Sequence, residues 1–191
     1  MKSQNTSLVE PMKTNSEMSH ADAVIIRAVG YANAGQFEQA IRHLTASHLN
    51  NDSIRNARGV CLMRMGKSDD AVRLFRSLVL MPGCTWMMPD TPVIYRTNFA
   101  TSLLITGRRA GCLSCLLEMA ERDHPSVVRL RTAISEWEHR LTWWQWLSWK
   151  LGLEPKLPVS MSFPPGDFFE PASPPRRVVN NGTTTHPHLA A

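Results

Sequence analysis

The sequence has little of what would mark an enzyme, a secreted protein or a membrane-spanning one. Cysteine is sparse: four residues in 191, at Cys61, Cys84, Cys112 and Cys115. Three of them sit inside apolar helical stretches, and the pattern does not resemble a secreted disulfide framework. No run of eighteen apolar residues occurs anywhere, so no segment reads as a spanning helix. Met1–His20 holds no apolar core of seven or more residues, so no signal peptide is expected. A reducing cytoplasm is the expected compartment.

Glycine is also scarce, with 10 residues against 13 prolines. The glycines are single and fall at turns, which leaves no phosphate-cradling loop. No serine or cysteine carries a nucleophile signature, and the histidines are scattered. Asp69 and Asp70 open a helix, where they favour its dipole. Glu136 and Glu138 are two apart and share no helix face. Cys112-Leu-Ser-Cys115 puts two thiols on one face, but a zinc site needs two further ligands. These two are expected to be buried structural thiols. The expectation is a non-catalytic protein with no cofactor and no metal.

The charge excess is small. The formal net charge is +5, and all of it lies in residues 21–152, with 16 basic against 11 acidic residues. Arginine outnumbers lysine there by 14 to 2. No basic run carries interleaved aromatics, so nucleic acid is not expected as a partner.

What is abundant is proline near one end. Eight of the 13 fall between Pro155 and Pro187, which marks a tail beyond a compact domain. Residues 1–18 are polar and read as a disordered lead. Residues 19–152 carry helical periodicity. Residues 153–171 hold Leu157, Val159, Met161, Phe163, Phe168 and Phe169, too many apolar groups for a solvated linker. Val159, Met161 and Phe163 alternate, as in an extended chain with one buried side. This part is expected to lie along the helices and to cover some of the tryptophans. Residues 172–191 are polar and expected to be disordered. Pro164–Pro165 and Pro174–Pro175 leave open a second role as polyproline ligands.

Between them the chain beats regularly. ADAVIIRAVGYANAG, SIRNARGVCLMRMG and VIYRTNFATSLLITG each end at a glycine, and each is followed by a second helical stretch. Aligned on Gly35, Gly66 and Gly107, small residues recur in the first helix at Ala28, Gly59 and Ala100. Bulky ones follow at Tyr31, Leu62 and Leu103. The second helix has small Ala40, Ala71 and Cys112, then bulky Leu44, Phe75 and Leu116. Small residues let paired helices approach, and bulky ones fill the space between pairs.

This pattern resembles the tetratricopeptide repeat over about residues 21–124. The resemblance implies an all-α fold: an α-α superhelix, a right-handed helical-hairpin array of about three pairs with capping helices. It also implies protein or peptide binding on a concave face lined by first helices. The implied groove residues are Asn33, Asn56, Met63, Arg64, Thr97, Thr101 and Leu104. The subclass that clamps a terminal carboxylate has asparagine where this chain has Val29, so that subclass is not implied. Three pairs are near the minimum for an independent array, which leaves self-association open.

Three features lie outside the repeat. Residues 81–91 insert a loop whose Trp86 either plugs a gap between pairs or serves as a recognition residue. Beyond it, Leu130, Ile134, Trp137, Leu141 and Trp144 step by four and three, so a capping helix is expected to bury that seam. The stretch 142–151, WWQWLSWKL with its cap, packs Trp143, Trp144, Trp146 and Trp149 into less than two turns. No single face holds them, so the helix is expected to be wedged and buried on two sides. The alternatives are a peripheral membrane anchor, not favoured because few basic residues flank it, or a partner surface at Trp143, Trp146 and Trp149.

Overall fold

The computed structural model describes residues 19–153, 155, 157 and 159–171. The disorder expected for residues 1–18 and 172–191 lies outside the described residues. Among these, the chain forms eight helices and no strand. They are α1 (His20–Asn33), α2 (Phe37–Ala46), α3 (Asp52–Arg64), α4 (Ser68–Val79), α5 (Val93–Ile105), α6 (Arg109–Glu118), α7 (Pro125–His139) and α8 (Trp143–Lys150).

Local chemistry sets the boundaries. The three turn glycines have φ of 75°, 80° and 79°, a left-handed conformation that costs a side chain dearly. Each turn closes with the same hydrogen bond: Gln36 N–H to Tyr31, Lys67 N–H to Leu62 and Arg108 N–H to Leu103 carbonyls, all 2.9 Å. That six-to-one bond satisfies a carbonyl left open at the helix end. Asn51 caps α3 by accepting from the Ile54 amide at 3.0 Å. α7 starts on Pro125 with His124 as its cap, and Thr142 and Gln145 form a capping box on α8.

Packing follows the alternation. α1 pairs with α2, α3 with α4 and α5 with α6, while α2 meets α3 and α4 meets α5. The first helices also touch along a row, α1 to α3, α3 to α5 and α5 to α7. This is an all-α helical-hairpin array. The small residues Ala28, Ala40, Ala71, Ala100 and Cys112 are fully buried at the contacts. Gly59 is the tightest of them: a methyl there would stand 2.4 Å from Cζ of buried Phe75.

Three expectations change. α7 packs on α5, taking the next place in the first-helix row. Its apolar seam holds through Leu130, Ile134 and Trp137, but Leu141 is only half-buried and Trp144 is exposed. The helix ends at His139, so the periodicity loses phase there. In the insertion, Met87 fills the gap instead of Trp86. Met81 N–H donates to the Trp86 carbonyl and Met88 N–H to the Val79 carbonyl, a tight reversal that turns Met87 inward. Trp86 is left exposed, beside a cavity of about 400 Å³ lined in part by Leu80, Phe99, Leu103 and Glu118. Finally, α8 has no buried residue. A capping box starts an eight-residue helix; Trp149 lies edge-on to Trp137 at 5.4 Å, while Trp143 and Trp144 meet each other and Trp146 meets Lys150 within α8. Trp143, Trp144 and Trp146 stand in solvent, so neither the wedge nor cover by the tail is realised for them.

Candidate peptide groove

The row of first helices makes a surface that polar residues would normally leave wet. Instead, Asn56, Asn98 and Ser126 on α3, α5 and α7 are buried. What buries them is the chain's own segment after α8. The chain leaves α8 at Gly152 and passes α7. There the Leu157 carbonyl accepts from Trp137 Nε1 at 3.0 Å and from an Arg109 Nη at 2.7 Å. The Arg109 guanidinium lies 4.9 Å over the Trp137 ring. Val159, Met161 and Phe163 are half-buried while Ser160, Ser162 and Pro164 are exposed, the alternation of an extended chain on a surface.

Pro165 to Phe168 then crosses α3, α5 and α7, bending at Gly166. Arg64 donates from Nε to the Pro165 carbonyl at 3.1 Å and from Nη2 to the Gly166 carbonyl at 2.9 Å. Asn98 takes both backbone groups of Asp167: its Oδ1 accepts from the amide at 2.9 Å, and its Nδ2 donates to the carbonyl at 2.8 Å. Asn56 Nδ2 donates to the same carbonyl at 3.2 Å and reaches the Phe168 carbonyl at 3.4 Å. The two amides are coupled by a bond from Asn98 Nδ2 to Asn56 Oδ1 at 2.8 Å. A side-chain amide that pairs with both N–H and C=O of one residue imitates a neighbouring strand, so it reads main chain irrespective of sequence.

Side chains add selectivity. The Asp167 carboxylate accepts from Arg129 Nη2 and from Ser126 Oγ, each at 2.6 Å. Gly166 has φ of 79°, and a Cβ there would lie 2.5 Å from Met63 Cε and 3.1 Å from Val60 Cγ2. The left-handed φ disfavours any other residue there, and a Cβ would have to push the Met63 methyl aside. Phe168 is buried with the Arg64 guanidinium 4.8 Å from its ring centroid, and Phe163 lies likewise under Arg129. Desolvation lowers the Arg64 pKa from its ordinary value, while nearby Asp167 opposes that shift. Downstream, His124 Nδ1 accepts from the Ser126 amide, so its Nε2 carries the proton toward Glu170 at 2.7 Å.

Of the residues inferred from sequence, Asn56, Met63 and Arg64 all meet the segment. Asn33 borders an open cavity of about 400 Å³ at its edge, shared with Met63, Arg64, Pro164 and Pro165. Three others are engaged elsewhere. The Thr97 hydroxyl serves the Val93 carbonyl and faces Met119, the Thr101 hydroxyl serves the Thr97 carbonyl, and Leu104 is in the core. Trp86 sits on the insertion, and Trp143, Trp146 and Trp149 on α8, all outside this groove. Asn98, Ser126 and Arg129 were not anticipated. Aligning on the turn glycines places Thr97 opposite Asn56, and the working amide is one residue further on. An asparagine beside the apolar run FATSLLI was the signal available.

The three buried thiols, Cys61, Cys112 and Cys115, are inert by environment, whereas Cys84 is exposed. Burial pushes Cys61 up to about 11 and Cys115 up to about 12, and raises Cys112 further. Among the described residues no cluster of three metal-ligating side chains occurs. No described helix is long and apolar enough to cross a membrane.

The fold and groove thus define an all-α helical-hairpin array with an extended segment held on its first helices. In comparisons with protein-family models, curated proteins and solved structures, nothing matches this chain.

Proposed function

We propose that this chain is a non-catalytic, cytoplasmic protein-interaction module of the tetratricopeptide kind, binding an extended peptide along its first helices. The observation that carries the reading is the bidentate grip of Asn98 on the Asp167 main chain, reinforced by Asn56. Groups placed this way bind peptides; they neither activate a nucleophile nor move a proton. The test is a cross-linked pull-down read by mass spectrometry, comparing the native chain with Asn56→Ala plus Arg64→Ala. A partner recovered by the first and lost by the second supports the groove. A partner held equally by both removes it from this face.

A second reading, peripheral membrane attachment through α8, is favoured by one observation. Trp143, Trp144 and Trp146 are 61%, 70% and 43% exposed, with Lys150 5.8 Å from the Trp146 ring centroid. Indole with an adjacent cation suits the headgroup boundary. Co-sedimentation with liposomes, abolished by Trp143→Ala plus Trp146→Ala, is the expected result on this reading; no sedimentation of the native chain ends it.

A further inference from the structure

The groove is specific in a way that an ordinary tail contact is not. Its amides pair with main chain, but three positions are read by side chain as well. At one position a left-handed φ, close against Met63 and Val60, favours glycine. Arg129 and Ser126 select a carboxylate at the next. Arg64 covers an aromatic ring at the third. Basic side chains meet the single acid at the centre, so charge and shape agree.

The helices also hold one another directly, in the pairs α1 with α2, α3 with α4 and α5 with α6, and the segment joins their core through Phe168 and Val159. Within Gly166–Phe168, its attachment is a set of hydrogen bonds to side chains plus one buried ring, and the flanking Phe169 and Glu170 are exposed. Elements with few buried apolar contacts open locally at less cost than helices in a core. Opening would expose Asn56, Asn98 and Arg129 to water, where each finds new partners, so no buried donor is orphaned.

From this we infer that the groove takes, in trans, an extended peptide carrying a Gly-Asp-aromatic sequence, and that Gly166–Phe168 is the resident competitor. The inference rests on the interaction reading above and names its ligand class. A partner gains access only by displacing the resident copy, so its apparent affinity falls by the fraction of time the groove is open. A short tether keeps the resident copy at high effective concentration, which sets a threshold that only abundant or tighter partners pass.

The test uses the full chain and a labelled synthetic peptide spanning residues 160–171, followed by fluorescence polarisation. In the variant Asp167→Ala plus Phe168→Ala, the resident copy is weakened while every groove residue is kept. Expected is binding at least about tenfold tighter than to the native chain, since two side-chain anchors are removed from the competitor. Replacing the peptide's central Asp by Asn, or its Gly by Ala, is expected to weaken binding by about tenfold or more. Adding Asn98→Ala to the variant is expected to abolish it. Peptide that binds neither protein, or binds without regard to its Gly and Asp, overturns the inference.

Hydrogen exchange on the native chain guards against a variant that does not fold. The Asp167 amide is expected to exchange at least about a hundredfold faster than the core amides of α3 and α5. Exchange at the same rate as the core makes the segment a fixed part of the fold and overturns the inference equally. Competition separates the two levels. If excess peptide leaves a pulled-down partner in place, the interaction module stands and the resident-competitor inference falls. If peptide binds as expected but no protein is recovered, the groove chemistry stands and the wider reading loses its support.

Discussion

Asn98→Ala is the sharpest single perturbation of this fold. The side chain is about 1% exposed and makes three hydrogen bonds: two to the Asp167 backbone and one to Asn56. Each is neutral, so a net contribution of about 1 kcal/mol apiece is appropriate, or about 3 kcal/mol for the set. That sum is an upper bound on what equilibrium unfolding can register. Once the loss exceeds the free energy holding the segment, the segment leaves, water reaches Asn56, and further destabilisation stops. Two measurements together resolve this. Urea unfolding followed by far-ultraviolet circular dichroism reports the array, and hydrogen exchange at Asp167 reports the segment. The expected outcome is a fall in unfolding free energy of about 1–3 kcal/mol, with protection at Asp167 lost and protection in α3 retained. A loss below about 0.5 kcal/mol with Asp167 still protected would mean the amide pairing contributes nothing, and the strand-like account of the groove would be refuted.

Gly59→Ala should cost about 1–3 kcal/mol, because the new methyl would stand 2.4 Å from the ring of fully buried Phe75 and one of them must shift; a thermal melt unchanged from the native chain contradicts this. Thiol labelling at neutral pH should modify Cys84 quickly and Cys61, Cys112 and Cys115 only after unfolding. The same burial makes stability depend on alkaline pH. With the Cys61 thiol at about 11 in the fold and 9.0 as its ordinary value, the unfolded chain sheds this proton first. Stability is therefore whole below that ordinary value and falls as pH rises toward the folded one, and Cys61→Ser should flatten that slope. Trp143→Ala plus Trp146→Ala should leave the melting temperature nearly unchanged, since both rings are in solvent; a large drop would show that α8 is held by contacts these rings make.

Much of the array was legible in the sequence because it is encoded locally. Turn glycines, caps and a small-then-large alternation each act within a few residues, so Gly35, Gly66 and Gly107 mark the turns without any knowledge of the rest. Asn56, Met63 and Arg64, which the repeat resemblance implies as groove residues, meet the chain's own segment, since helical phase relative to a turn sets the face they share. Where phase broke, so did the reading. Thr97 and Thr101 turn their hydroxyls back to their own helix, and Asn98 does the work expected of its neighbour.

By itself, then, the sequence determined eight amphipathic or capped segments, their pairing in hairpins, and an extended segment with one apolar side. Periodicity states how much of a helix is buried, and local hydrogen bonding states where it stops. Only the tertiary structure decided what does the burying. Asn98 meets Asp167 across 69 positions in the chain, and Asn56 meets Phe168 across 112. A hydrogen bond over such separations depends on where several packed helices bring their side chains, to within a fraction of an ångström. No local pattern carries that information, which is why the apolar residues of 153–171 told that this part packs on the helices but not that it crosses Asn56 and Asn98.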